Sequence, residues 1–247
     1  VVGLCGVAGA QMFNENHYLV YQLAFPYDIG ITVTLYDQFD EYIDPPIGFI
    51  TNNLMMDKFA NPVMKNGEDY YNEFIHQTWW EIHDPQPVKK VDFVNQFGPQ
   101  TWYVGDGRYL VLPAFKNQSE PGFPEWNHYK CYDAIGPDSF YQVDLMDQWG
   151  GPHPSAAVLP VLFCNPCIKE LADGIRYEIV DFFPHLAVYL LEPPIMYAAP
   201  IMAQATDQFG SWDIETMEAI WLVVPSDKLG VIGNETKSWG SIKSLYR

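Results

Sequence analysis

This sequence predicts an all-β fold: four repeats of just over fifty residues, forming two tandem sandwich- or barrel-like domains behind an extended N-terminal arm. Three observations carry that reading. A three-part phrase recurs four times along the chain. Aromatic residues make up 16% of it and accompany 20 prolines, in many short Val, Ile, Tyr, Phe and Trp runs. Strict apolar alternation precedes the middle of the phrase, as a strand with one buried face requires.

The phrase opens on histidine, at His17-Tyr18-Leu19-Val20-Tyr21, His76-Gln77-Thr78-Trp79-Trp80, His128-Tyr129-Lys130-Cys131-Tyr132 and His185-Leu186-Ala187-Val188-Tyr189. Its middle is Asp37-Gln38-Phe39-Asp40, Asn95-Gln96-Phe97-Gly98, Asp147-Gln148-Trp149-Gly150 and Asp207-Gln208-Phe209-Gly210. Pro-x-x-Lys closes it, from Pro62 to Lys65, Pro113 to Lys116, Pro166 to Lys169 and Pro225 to Lys228. His-to-Gln gaps of 20 to 23 residues and Gln-to-Pro gaps of 17 to 24 fit loops of differing length between fixed elements.

Taken in order, residues 1–13 lie outside the repeats and are small, apolar and uncharged. Ala8-Gly9-Ala10 has the form of a signal-peptidase site, but no basic region precedes it. Three glycines make the stretch a poor helix. Val1, Val2, Leu4, Val7, Met12 and Phe13 are the side chains such an arm would seat in a groove or along a sheet edge, its own or a neighbour's. Strands are expected at Ile29–Tyr36, Val91–Val94 and Phe140–Leu145, and more weakly at Ala198–Ala205, which carries Pro200. Each then exits through a turn in which Asp or Asn accepts local backbone hydrogen bonds and glycine supplies positive φ; Asp40 departs from that glycine. Asp213–Val223 has helical periodicity, yet its place in the repeat argues for strand. The Ser119–Pro124 linker divides the copies two and two, giving domains at residues 14–122 and 123–247.

The pattern resembles a repeated module of unknown function from secreted and cell-surface proteins of bacteria and archaea. That module reads His-aromatic-x-Cys-Tyr, Asp-Gln-Phe-Gly and Leu-Cys-Asn-Pro-x-x-Lys. The third copy fits closely, the first and fourth lack the cysteines, and the second keeps mainly His76, Gln96-Phe97-Gly98, Pro113 and Lys116. The resemblance spans roughly residues 17–230 and implies an extracellular β-rich module with no attached activity.

Cys164-Asn165-Pro166-Cys167 has the spacing of a redox motif. The repeats argue otherwise. Cys131 stands where the other copies have Val20, Trp79 and Val188, and Cys164 where they have Ala60, Val111 and Val223. A disulfide replacing a packed apolar pair accounts for both, which leaves Cys167 to pair with Cys5. A zinc site made of all four thiolates is the alternative. The repeated histidines are read as groups that begin a strand and bond a neighbouring carbonyl, not as metal ligands. No catalytic, cofactor or metal motif appears, so neither enzyme nor cofactor is expected. Asn117-Gln118-Ser119 and Asn234-Glu235-Thr236 are glycosylation sequons at Asn117 and Asn234.

A net charge of −18 with only 13 basic residues argues against nucleic acid, and it disfavours anionic membrane surfaces. The function expected is that of a secreted glycoprotein, a structural subunit of an extracellular filament or sheath that polymerises with itself through its N-terminal donor strand. A surface adhesion or carbohydrate-binding module, with glycans as partners, is the second expectation.

Overall fold

The computed structural model describes residues 14–40, 48–117 and 125–232. The arm at 1–13, Cys5 and Asn234 therefore fall outside the described residues. Each copy of the phrase supplies strands in the same order. Unit one contributes β1 (Tyr18–Ile29), β2 (Val33–Asp37), β3 (Phe49–Thr51) and β4 (Leu54–Lys65). Unit two contributes β5 (His76–Asp84), β6 (Lys89–Asn95) and β7 (Gly98–Lys116). Unit three has β8 (His128–Ile135), β9 (Tyr141–Asp147) and β10 (Gly150–Leu171), followed by the short β11 (Arg176–Tyr177). Unit four has β12 (His185–Ile195), β13 (Ile201–Asp207) and β14 (Gly210–Ile232). Asp213–Val223 is strand throughout, as its place in the repeat implied.

The first and last strands of every unit pair with each other, and each unit's first or last strand also pairs with its neighbour's. Followed strand by strand, the antiparallel pairings run β1–β4, β4–β5, β5–β7, β7–β8, β8–β10, β10–β12, β12–β14 and β14–β1, which closes an eight-stranded barrel. Eight strands enclose just enough room for side chains. Here Tyr18, Val20, Ala60, Trp79, Val111, Tyr129, Cys131, Cys164, Leu186, Val188 and Val223 fill it.

The division into domains at 14–122 and 123–247 is corrected by this ring. β7 pairs β8 across the expected boundary, β14 pairs β1, and all the strands belong to one hydrogen-bonded sheet. Two units cannot close a barrel whose circumference takes four.

Outside the ring, the middle strand of each unit folds back as a hairpin and covers the barrel's outer face, so the alternate side chains are buried as well. One outer core gathers Leu19, Tyr21, Phe93, Trp102, Tyr132, Phe163 and Tyr189; the other gathers Leu35, Met56, Phe59, Trp80, Leu110 and Cys167. Each middle strand then reaches the unit diagonally opposite. β2 pairs β10, β9 pairs β4, β6 pairs β14 and β13 pairs β7. The repeats are thus linked to neighbours by the ring and to opposites by the hairpins.

Candidate functional site

The repeated residues are the first candidates for function, and the fold uses each of them four times in a near-equivalent way. In the turn after each middle strand, one side-chain oxygen of the Asp or Asn accepts the backbone N–H two residues on: Asp37 from Phe39, Asn95 from Phe97, Asp147 from Trp149 and Asp207 from Phe209, at 2.8 to 2.9 Å. That is the local bond expected of this residue type. Its other side-chain atom crosses to the opposite unit. Tyr21 Oη donates to Asp147 at 2.8 Å, Tyr132 Oη to Asp37 at 2.6 Å and Trp80 Nε1 to Asp207 at 3.0 Å, while Asn95 Nδ2 donates to Tyr189 Oη at 3.0 Å. The donor or acceptor is always the aromatic four residues after the opening histidine. Gly98, Gly150 and Gly210 close three of the turns at φ of 97°, 146° and 152°, a region that favours glycine.

The closing lysines and the opening histidines join neighbours. Lys65 lies over the Phe97 ring, Lys116 over Trp149, Lys169 over Phe209 and Lys228 over Phe39, at 4.5 to 5.5 Å from the centroids, always one unit onward around the ring. Imidazole Nε2 of His17 faces Gln96 Oε1 at 3.0 Å, His128 faces Gln208 at 2.9 Å and His185 faces Gln38 at 3.4 Å, again one unit onward. His76 differs, contacting Asn61 Oδ1 through Nδ1 at 3.1 Å. Burial, together with the lysine of its own unit, holds His17, His128 and His185 down at about 3, so they serve as neutral hydrogen-bonding groups. Burial likewise brings Lys169 down to about 7. The repeat signature is a set of internal struts.

Cys131 and Cys164 form a disulfide inside the barrel, with Cα atoms 3.9 Å apart. The positions they occupy are directly paired residues in the other units, Val20 with Ala60, Trp79 with Val111 and Val188 with Val223. Cys167, expected to bond Cys5, is a free and fully buried thiol whose position belongs to the outer core. Burial raises it far above the usual thiol range, so it is not a ready nucleophile. Among the described residues no group of three His, Cys, Asp or Glu side chains is placed to hold a metal ion. Asn117 sits at φ 53° and accepts the Gln204 N–H through Oδ1 at 2.8 Å; Asn66, after the lysine of unit one, makes the same turn and bonds Asp144 N. Asn therefore has a structural reason to stand there.

Pairs that sequence reasoning missed are the residues just before two of the histidines. Asn16 Oδ1 accepts the N–H groups of Tyr71 and Asn72, and Asn127 Oδ1 those of Val180 and Asp181. Each clamps the segment leading into the following unit. Asn-His at 16–17 and 127–128 was the available signal.

Three further features remain, two at the surface and one buried. A groove of about 620 Å³ runs beside β3 and is lined by Phe49, Ile50, Asn52, Glu81, His83 and Arg108. A smaller cavity of about 270 Å³ lies among Glu15, Tyr71, Glu125, Trp126, Asn127 and Asp181. Within it Glu15 is buried and receives Tyr18 Oη, Tyr129 Oη and Trp126 Nε1 at 2.7 to 2.9 Å. The third is a cluster of buried charges around Lys130, whose Nζ is 2.7 Å from Asp84 Oδ2 and 3.5 Å from Asp40 Oδ2.

A family model described as a repeat of unknown function (DUF7450) matches residues 76–225, well over half of the chain. The chain belongs to this family. The match begins at the histidine that opens unit two and ends at the proline that begins the closing phrase of unit four. Neither a curated protein nor a solved structure matches the chain. Membership in the repeat family thus coincides with the strand arrangement just described, while the function has to be argued from the site.

Proposed function

We propose that the protein is a secreted, non-enzymatic structural subunit of an extracellular filament or sheath, which joins copies of itself by adding the N-terminal strand of one molecule to a sheet edge of the next. The observation that carries this reading is β3. Among the described residues its recorded ladder is with β2 alone, its other edge lies by the 620 Å³ groove, and Ile50 on it is exposed. An unpaired edge with an apolar side chain is an invitation to strand addition. The apolar, uncharged residues 1–13 have the composition to fill it. The buried disulfide supports an oxidising, extracellular setting, and residence in bacteria or archaea follows the resemblance of the repeat phrase.

The test is assembly. Wild-type protein is expected to form particles visible by electron microscopy, and deletion of residues 1–13 or the edge substitution Ile50→Lys is expected to leave monomers. Unchanged particles in both variants would sink the proposal. A glycan-binding reading is favoured by one different observation: Trp126 and Tyr71 lie with centroids 5.7 Å apart in the cavity that also holds Glu125 and Asp181. Glycan-array binding lost in Trp126→Ala would select it instead.

A further inference from the structure

Three residues that break the repeat meet at one buried point. Lys130 occupies a position held by Leu19, Thr78 and Ala187 in the other units. Asp40 stands where Gly98, Gly150 and Gly210 close the turn. Asp84, eight residues after its opening histidine, corresponds to Phe25, Gly136 and Pro193. Their side chains are 0%, 7% and 5% exposed. Lys130 and Asp84 belong to strands on either side of β7, and the lysine meets the carboxylate near Gly107, where a Cβ would come within 3.0 Å of Asp84 Cβ. The rings of Phe49 and Tyr132 stand 5.3 and 5.4 Å from Nζ. Nζ approaches Asp84 Oδ2 to 2.7 Å, and Gln86 Nε2 donates to the same oxygen at 2.9 Å.

A buried ion cluster is a poor way to add stability, since apolar residues of similar volume do as well or better. Three coincident departures from the repeat therefore ask for another purpose. We propose that Lys130 and Asp84 condense into an intramolecular isopeptide bond, with Asp40 as the proton carrier.

The reaction needs no co-reactant. A proton passes from Lys130 Nζ to Asp40, and Asp40 passes it to Asp84. The neutral amine attacks Asp84 Cγ. A C–N bond forms and one C–O bond breaks; the oxygen leaves as water with two of the three ammonium hydrogens, and the third remains on the amide nitrogen. Burial first, and then the neighbouring Asp37, raises the Asp40 carboxyl above its usual range, so it holds a proton readily. Burial pulls Lys130 down, but Asp37, Asp40 and Asp84 outweigh it, so the cluster starts as ammonium and carboxylates. The low-dielectric surroundings favour the uncharged amide over the ion pair it replaces. Asp37 and Asp40 also line a cavity of about 230 Å³ with Gln38, Ile168 and Phe182, through which the water departs.

Intact mass spectrometry of the purified full chain, denatured and reduced, tests this. The wild type is expected one water lighter than its sequence, and proteolysis is expected to yield a branched peptide joining the Asp84 and Lys130 segments. K130M, which keeps an apolar stem in place, and D84A are expected at full mass, as is D40A if Asp40 carries the proton. A wild-type mass equal to the sequence overturns the proposal. So does a missing water that persists in K130M, because succinimide formation at Asp106-Gly107 would give the same deficit without the lysine. Condensation that continues in D40A overturns the role given to Asp40.

Discussion

Asp147 shows how one side chain can hold two distant parts of a fold. Oδ1 accepts the Trp149 N–H of its own turn at 2.8 Å, and Oδ2 receives both Tyr21 Oη and Asn61 Nδ2 from unit one at 2.8 Å. Tyr21→Phe removes one of these buried donors and is expected to cost about 2 kcal/mol in urea unfolding, with little change in the slope of the transition. The histidines make a prediction in pH. Their folded-state values near 3 for His17, His128 and His185 lie below the unfolded value of 6.5, so the unfolded chain binds more protons between those limits. Their contribution is fully present above 6.5 and is lost as pH falls toward 3. Thermal unfolding midpoints are expected to drop across that window, and His128→Gln to flatten the drop. An equal slope in the variant would show that carboxylates alone account for it. At this scale much was legible. The local bonds of Asp37, Asn95, Asp147 and Asp207 followed from residue type, and the Cys131–Cys164 pair from the apolar residues at matching positions. The crossing bond to an aromatic in another unit was hidden, because sequence spacing carries no information about which units face each other.

Among elements, the long closing strands are the informative ones. The second half of β10 is barrel wall, while its first half, Gly150 to Ala157, pairs with β9 in the hairpin that covers the barrel. Unit one breaks this plan: β3 and β4 are separate strands where the other units have one, and the Gln-to-Pro gap of 24 residues against 17 or 18 is the sequence trace of the break. Replacing the disulfide by the pair that unit one uses, C131V with C164A, is expected to leave the fold intact and lower stability by about 4 kcal/mol, the chain-entropy value for a loop closed over 33 residues. Far-ultraviolet circular dichroism and denaturant titration would check both halves of that statement. Alternation located the middle strands β2, β6, β9 and β13, although residues 30–32 of the expected Ile29–Tyr36 strand lie between β1 and β2, whereas β14 was placed by its position in the unit, against the helical periodicity of Asp213–Val223. Alternation could not tell an isolated strand from one lengthened into two layers, since both faces of the second half are buried and the pattern fades there.

For the whole molecule, closure sets the behaviour. A ring whose last strand pairs with its first gives no half of the chain a complete set of partners: β8 and β14 lose β7 and β1 if units three and four are separated from one and two. Residues 125–247 expressed alone are therefore expected to be unfolded as a monomer in analytical ultracentrifugation with circular dichroism, and to regain β structure when mixed with residues 1–124. The expected domain boundary failed for this reason. Internal repetition announces how many units there are, whereas the number needed to close a barrel depends on strand count and tilt.

The alternation of Asn16 and Asn127, present before the histidines of units one and three only, has an evolutionary reading. Units one and three are alike in this respect and units two and four differ from them, so the chain reads as two successive pairs of units. The strut from Tyr132 of unit three to Asp37 of unit one has its counterpart from unit one to unit three in Tyr21 to Asp147. A family member holding a single pair could build the same ring as a symmetric homodimer, each chain offering the other what its own second half supplies here. Asp40, Asp84 and Lys130, one from each of three units, break that correspondence, because the equivalent residues of the other pair are Gly150, Pro193 and Leu19, so the buried charges exist at one point of the ring and not at its opposite.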